Sequence, residues 1–187
     1  MSDFLREYYR DSSLSLSEVH KLYEIHRLLE VKKGEELLRK RSQNDAYWLV
    51  ESALLRSFVF SPSGEDITTA FMAREEIALD FAGFFLNEPS LEGIEVLGPG
   101  LIWEVKKTDF QNFMHSSSAF GKWGRNWMVR TLIARQAFHI SHHSLTAKER
   151  YDELRSTRPE VNQLAPLKHI ASYIGVTDST LSRLRKC

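Results

Sequence analysis

Residues 167–186 read LKHIASYIGVTDSTLSRLRK, and this is the most informative stretch of the sequence. It contains two short helical patterns joined by a tight break at Gly175, where a positive φ costs a glycine little. Ile170 and Ile174 give the first pattern an apolar face, and Ala171 offers a small side chain where two helices must approach closely. The pattern therefore predicts two short helices that cross at a turn.

The second helical pattern follows the break directly. Thr177 or Asp178 can cap this helix by accepting a backbone N–H bond, and its apolar residues Leu181 and Leu184 can pack it against the first helix. This arrangement, a helix-turn-helix, leaves one face of the second helix bare. A helix pair inside an all-α core is the alternative, but suitable residues stand at every position that the motif constrains.

The bare face of the second helix carries side chains that can contact DNA. Arg183 is the candidate for a bidentate contact to a guanine, whereas Thr177, Thr180, Arg185 and Lys186 are better suited to phosphates. The predicted DNA-binding residues are Thr177, Asp178, Ser179, Thr180, Ser182, Arg183, Arg185 and Lys186.

The composition is that of a globular protein, with 42% hydrophobic and 27% charged residues. The net charge is zero, which argues against a protein that coats nucleic acid indiscriminately. The charge is nevertheless uneven, because residues 146–187 contain eight Lys or Arg against five Asp or Glu. The C-terminal end is thus the basic one.

The sequence shows no apolar run typical of a signal peptide and no stretch that would span a bilayer. We therefore expect a cytoplasmic protein without a membrane partner. Cys187 is the only cysteine, which excludes a disulfide framework and a cysteine-ligated iron–sulfur cluster.

The N-terminal half predicts one helix followed by several short strands. Leucine, valine and isoleucine recur at helical spacing over residues 14–30, so a helix is expected there. Gly/Pro turns then separate short apolar runs, which favours a barrel or jelly roll. The predicted strands are Tyr47–Val50, Leu54–Phe60, Ile67–Met72, Ile94–Leu97 and Leu101–Val105, with turns at Ser61–Gly64 and Gly98–Gly100.

A long helix is predicted after Thr108-Asp109, because no proline occurs before Pro159 and apolar residues recur every three or four positions. Gly121 and Gly124 weaken its first turns. One face could cover the barrel while another meets a second subunit, although a stripe that closes a monomer core is the alternative. Its stripe comprises Phe120, Trp123, Trp127, Ala134 and Phe138, broadened by Met128, Leu132 and Ile133. A charged helix is expected at residues 146–157.

The C-terminal motif, with Arg150-Tyr151 and Pro159 upstream, resembles the Crp/Fnr superfamily, especially its shortened Bacteroidetes-type members. The resemblance extends over almost the whole chain and includes a strand start at residues 31–35, VKKGE. It implies an α+β protein with a cyclic-nucleotide-binding-like jelly-roll sensor at 1–110, a dimerisation helix at 111–145 and a helix-turn-helix domain at 146–187. Because the sequence stops at Lys186-Cys187, we expect no β-hairpin wing.

The same resemblance implies a sequence-specific transcription regulator that binds double-stranded DNA as a homodimer and contacts RNA polymerase. By position, Asp178, Ser179 and Arg183 match the residues that usually touch bases. An effector-binding adaptor, in which a degenerate helix-turn-helix makes only protein contacts, is the alternative function.

The family pattern predicts that the protein does not bind cyclic AMP tightly. Members that bind it carry a Gly-Glu pair and a later Arg followed by Ser, Thr or Ala. Neither feature occurs in the corresponding region of this sequence, which runs from residues 71–76 to residues 90–93. No cofactor is expected, and the candidate pocket residues for a small-molecule effector are Phe71, Arg74, Glu76, Phe81 and Phe85. An ion pair of Arg74 with a neighbouring glutamate, and aromatics that merely fill the barrel, are the alternatives.

An enzyme is not expected. A jelly-roll metal centre of the cupin type needs histidines on its strands, and none occurs from Val31 to Phe110. His139 and His143 have the i, i+4 spacing of metal ligands, but no acid accompanies them, so solvated or dimer-facing histidines are the favoured interpretation. No phosphate loop, nucleophile elbow or zinc-protease motif is present.

Overall fold

The N-terminal helices pack on the outside of the barrel, where Leu22 shares an apolar cluster with Tyr47 and Leu49. In the computed structural model the described residues are 2–185, so Met1, Lys186 and Cys187 lie outside them. Helix α1 (Asp3–Tyr8) is followed by a 3₁₀ turn and by α2 (Leu16–Ile25). Ser15 begins α2 with a capping box, in which its hydroxyl accepts from the Glu18 N–H while the Glu18 carboxylate accepts from the Ser15 N–H.

The predicted helix at 14–30 is too long. At His26 the backbone becomes extended, and residues His26–Val31 form strand β1. This strand pairs along its whole length with a later strand, from His26↔Val105 to Val31↔Gly100. Pairing across the sheet therefore outweighs the helical spacing of Leu28 and Leu29.

The strands that follow β1 are β2 (Glu36–Leu38), β3 (Ala46–Val50), β4 (Leu54–Phe60), β5 (Asp66–Met72), β6 (Ile77–Ala78), β7 (Gly93–Gly98) and β8 (Gly100–Lys106). Two four-stranded antiparallel sheets form the jelly roll, in the strand orders β1-β8-β3-β6 and β2-β7-β4-β5. The β4–β5 hairpin turns at Gly64, whose φ is 85°, as the turn signal predicts. Apolar side chains from both sheets, including Trp48, Leu55 and Ile94, fill the interior.

A short helix, α3 (Phe81–Leu86), interrupts the strands between β6 and β7. Phe81 and Phe85 were predicted as aromatics of the barrel, but both lie on this helix. Asp80 caps it by accepting from the Gly83 N–H at 2.7 Å. Its fully buried Phe84 packs edge-on against Tyr47 and Phe110.

The predicted long helix is two helices, α4 (Lys107–Ser116) and α5 (Ser118–Ser144). The break is at Ser117, which has extended dihedrals and accepts from the Phe120 N–H. It allows α4 to fold back on α5, where the ring centroids of Phe113 and Phe120 are 4.5 Å apart. A Cβ on Gly124 would come within 3.0 Å of the Met114 sulfur, so this glycine permits the close approach of the two helices.

Helix α5 has two apolar faces on opposite sides. One face packs on the N-terminal helices and the barrel through residues such as Trp123 and Trp127. The other is exposed, and it includes Leu132 and Ile133, which the sequence analysis assigned to the first face. Its members are Val129, Leu132, Ile133 and Ile140, and we call it the outer face of α5.

Four short helices form the C-terminal part: α6 (Ala147–Thr157), α7 (Pro159–Leu164), α8 (Leu167–Ile174) and α9 (Asp178–Leu184). The charged helix predicted at 146–157 is α6, whereas α7 was not predicted. Pro159 occupies the first turn of α7, where a missing N–H costs nothing. These helices share an apolar core with the barrel strands, to which Leu54, Phe71 and Leu97 contribute.

Candidate nucleic-acid interface and adjoining cavity

The two last helices form the predicted helix-turn-helix. Helix α8 ends at Gly175, whose φ is 78°, and the Val176 N–H donates back to the Ala171 carbonyl at 3.0 Å. Thr177 begins α9 by accepting from the Thr180 N–H. Ala171 and Leu181 are both 0% exposed, so the residues that define the motif in the sequence also make its core.

The bare face of α9 points to solvent. Four of the predicted DNA-contacting residues on α9 are exposed: Asp178, Ser179, Ser182 and Arg183. The hydroxyls of Thr177 and Thr180 lie 3.0 Å apart and take part in the cap, and Thr180 is half-buried. Arg185 is exposed just after the helix, and Lys186 lies outside the described residues. Contact of these side chains with DNA stays a prediction.

The turn glycine offers a direct test of this local geometry. Replacing Gly175 with Ala should lower the free energy of unfolding by about 1–2 kcal/mol, because the left-handed backbone crowds a Cβ. The nearest atom to that Cβ would be 3.8 Å away, so the cost is conformational rather than a clash. Urea denaturation measures it. Gly64→Ala, at a φ of 85° in an exposed hairpin, is the matched control; only the Gly175 variant should also weaken DNA binding. An unchanged stability in Gly175→Ala would contradict this account.

Arg150 ties the helix-turn-helix to the end of α5. Its guanidinium donates to the carbonyls of Ile174 at 2.9 Å and of Leu145 at 2.6 Å. These carbonyls terminate or follow helices, where a cation is favoured. The neighbouring Tyr151 is buried and donates to the Asn162 side chain. The Arg150-Tyr151 pair noted in the sequence thus has a structural role between helices.

A buried arginine, which the sequence analysis did not single out, organises the barrel surface beneath α8. Arg56 of β4 is 2% exposed and donates to both carboxylate oxygens of Asp66 and to Glu95, each at 2.6 Å. His169 of α8 lies 4.0 Å from Asp66, and the Ser172 hydroxyl accepts from the Thr68 N–H. The only sequence signal was an arginine inside an otherwise apolar strand.

A cavity of about 740 Å³ lies where edge strands β5 and β6 approach α5 and α8. Of the predicted pocket residues, Phe71, Glu76 and Phe81 line it. Arg74 does not line it, because it sits in the turn after β5 and pairs with Glu7 at 3.6 Å and with Glu75. Phe85 also lies outside the lining; it packs against Phe81 and Phe84.

Glu76 links the cavity to the C-terminal helices. Its carboxylate pairs with Arg158 and accepts from the Ala73 N–H at 2.8 Å. Burial raises the pKa of the Glu76 carboxyl above its ordinary value, although the charge of Arg158 works in the opposite direction. Arg158 is thus already in contact with a carboxyl group of the chain itself.

Comparison with known proteins gives the fold a family context. Residues 28–117 match the family model of the cyclic nucleotide-binding domain. FixK2 from Bradyrhizobium japonicum is 16% identical, with a TM-score of 0.71 over 87% of this chain and 83% of that chain. A protein assigned to the Crp/Fnr family of transcriptional regulators, from Eubacterium rectale, is 17% identical, with a TM-score of 0.73 over 96% and 86%. The chain has the fold of the Crp/Fnr regulators.

The Crp/Fnr fold is shared with a third solved structure. The c-di-GMP responsive regulator CLP from Xanthomonas campestris is 11% identical, with a TM-score of 0.67, and the match covers 92% of this chain and 90% of that one. No curated protein matches the chain at the level of sequence. These Crp/Fnr structures are of transcription regulators, not of enzymes.

Two further predictions concern metals and membranes. His139 and His143 of α5 contact each other edge to face, with ring centroids 4.4 Å apart, and both are exposed. Within residues 2–185, no group of three or more His, Cys, Asp or Glu side chains is arranged to hold a metal ion. In the same part of the chain, none of the helices combines the length and the apolar character needed to cross a membrane.

Proposed function

We propose that the protein is a sequence-specific DNA-binding transcription regulator and has no catalytic activity. The observation that carries this proposal is the exposed polar face of α9 on a complete helix-turn-helix. In such motifs the second helix enters the major groove. Arg183 then reads a guanine, Asp178 and Ser179 reach neighbouring base edges, and Thr177, Thr180, Arg185 and Lys186 contact phosphates.

The regulator acts as a homodimer that pairs through the outer face of α5. Val129, Leu132, Ile133 and Ile140 are between 55% and 68% exposed, which leaves a long apolar stripe on one helix. A two-fold pair of such helices covers both stripes and presents two α9 helices to DNA. The expected target is an inverted repeat with half-sites about 34 Å apart, one turn of duplex. By likeness to the Crp/Fnr regulators, the bound dimer contacts RNA polymerase.

Cyclic AMP is not the effector in this proposal. In the segment where the family holds the cyclic phosphate, the N–H groups of Gly83 and Leu91 already donate to the Asp80 carboxylate, at 2.7 and 3.0 Å. A phosphate placed there would meet a like charge, and these two backbone donors would not be free to bind it. Calorimetry with cyclic AMP should therefore show no binding in the micromolar range, and a micromolar affinity would overturn this part of the proposal.

The salt dependence of DNA binding separates the regulator from an adaptor. We expect affinity for a short duplex to fall by at least about tenfold as salt rises from about 50 to 200 mM, because phosphate contacts release counterions. Fluorescence anisotropy of a labelled duplex measures it. Arg185→Ala should reduce the slope, whereas Arg27→Ala, an exposed arginine on β1 far from the motif in sequence, should not. An adaptor would show no affinity at any salt concentration.

A further inference from the structure

The cavity beside the helix-turn-helix has the walls of a small-molecule site. Its volume of about 740 Å³ falls within the usual range of ligand pockets. Apolar and aromatic side chains from four elements line it: Ile67 and Phe71 of β5, Phe81 of α3, Trp127 and Phe138 of α5, and Tyr173 of α8. The interior of the jelly roll, by contrast, is filled by side chains. The space for a ligand therefore lies between the barrel and the C-terminal helices.

The charged side chains that line the cavity carry more positive than negative charge. Arg158 is paired with Glu76, and Glu75 with Arg74. Arg130 and Arg135 of α5 also line the cavity, and within residues 2–185 no carboxylate lies within 4.0 Å of either guanidinium. Arg135 instead lies over the Phe81 ring, 5.3 Å from its centroid. The walls thus combine an apolar surface with two cations that have no anionic partner in the described chain.

The wall also contains unsatisfied polar atoms. In the described part of the chain, three buried side-chain polar atoms have no hydrogen-bond partner, and two of them, Thr69 Oγ1 and His142 Nδ1, belong to residues that line this cavity. Such atoms are rare in protein interiors, and each one calls for an explanation such as a bound water, ion or ligand. These two atoms are an observation independent of the two arginines, and they belong to the wall of the same cavity.

We propose that this cavity binds an amphipathic carboxylate, with an apolar chain or ring against the aromatic walls and the carboxylate beside Arg130 and Arg135. Guanidinium groups suit carboxylates because their planar donors match the two oxygens. The apolar lining disfavours a highly polar ligand such as a nucleotide. The ligand contacts β5, α5 and α8 together, so it holds the helix-turn-helix in its position against the barrel. This binding site goes beyond the proposed DNA-binding function and does not depend on it.

Binding can be tested on the full chain without DNA. Decanoate and 1-naphthoate serve as probes of an alkyl and an aromatic acid, and calorimetry with tryptophan fluorescence follows binding, since Trp127 is in the wall. Decan-1-ol and decyltrimethylammonium are the neutral and cationic controls. We expect one saturable site for at least one acid, with affinity at least about tenfold above that for decanol, because the charged hydrogen bonds are lost in the alcohol. Tighter binding of either acid supports the proposal and identifies the apolar part.

Matched variants locate the site. Arg130→Ala/Arg135→Ala should abolish the preference for the acid over decanol, whereas Arg27→Ala/Arg155→Ala, which removes two exposed arginines outside the cavity, should retain it. Ala134→Trp fills the cavity from the exposed surface of α5 and should block both ligands without unfolding the protein. Equal affinity for acid and alcohol, no binding of either acid, or binding that survives all three substitutions would overturn the proposal. Because DNA is absent, failure of the regulator function would not change these results.

Discussion

Replacing Arg56 with Met should lower the free energy of unfolding by about 3–5 kcal/mol, the usual cost of removing one partner from a buried ion pair. The guanidinium is 2% exposed, and its loss leaves Asp66 and Glu95 facing each other without a cation. Both carboxylates are partly exposed, which places the expected cost toward the lower end of that range. Unfolding in guanidinium chloride measures this loss of stability.

The matched control for this variant is Arg27→Met. Arg27 also pairs with a carboxylate, Glu104, but its side chain is 72% exposed and the contact is 3.9 Å long. Such surface pairs contribute about 0–1 kcal/mol, so the control should unfold almost like the wild type. If both variants lost equal stability, the buried network would not be what holds α8 against the barrel.

The pH dependence identifies the carboxylate involved. Burial alone would raise the pKa of Asp66, but the hydrogen bonds and charge of Arg56 outweigh it and hold the pKa below its ordinary value. A group with a depressed pKa stabilises the fold above its unfolded pKa and loses that contribution as the pH falls through the folded one. The stability that the Asp66 charge adds to the wild type should therefore be full at neutral pH and decline below about pH 3.9, so the difference between wild type and Arg56→Met should shrink in acid. Burial lowers the pKa of His26 to about 4, but this histidine is common to both proteins and cancels in the difference.

Replacing Leu132 and Ile140 together with Glu should convert the dimer to a monomer. The two side chains are 68% and 55% exposed in the single chain and would be buried in the pair. Each contributes about 1.5–3 kcal/mol on burial, and the two-fold axis repeats each of them. The dimer dissociation constant should rise by at least about 1,000-fold, before the repulsion between the new charges is counted. Sedimentation velocity measures it directly.

The control for the dimer variant also replaces two exposed apolar residues with Glu, but on another surface. Leu86 and Leu91 are 65% and 62% exposed but lie on and after α3, away from the outer face of α5. Leu86→Glu/Leu91→Glu should remain dimeric. A wild-type protein that sediments as a monomer, or a Leu132→Glu/Ile140→Glu variant that stays dimeric, would show that another surface or none joins two chains.

The helix-turn-helix could be predicted because local requirements fix it. A small residue at Ala171, a left-handed turn at Gly175 and an apolar contact at Leu181 are each readable from one sequence, and all three occupy their expected places. The strand β1 could not be predicted in the same way. Its leucines suit a helix as well as a strand, and only pairing with β8, some 75 residues later in the chain, decides between them.

The cavity was predicted only in part, for the same reason. Phe71 and Phe81 could be proposed from the barrel sequence, but Arg130 and Arg135 reach the site through the return of α5, after a break at Ser117 that no proline or glycine announces. Arg74 was predicted as a pocket residue, but it lies outside the cavity and pairs with Glu7 of α1. Contacts between distant segments determine these positions, so the residue spacing within one segment cannot reveal them.

Selection of bound duplexes from a random DNA pool shows whether the protein reads DNA sequence through α9. The purified protein is incubated with the pool at moderate salt, beside the variants Arg183→Ala and Arg155→Ala, the second an exposed arginine on α6. We expect enrichment of an inverted repeat with half-sites about one helical turn apart, retained by Arg155→Ala and lost or relaxed at one base pair by Arg183→Ala. No enriched sequence, with the acid ligand absent or present, or the same sequence enriched by Arg183→Ala, would contradict a regulator that reads DNA through α9.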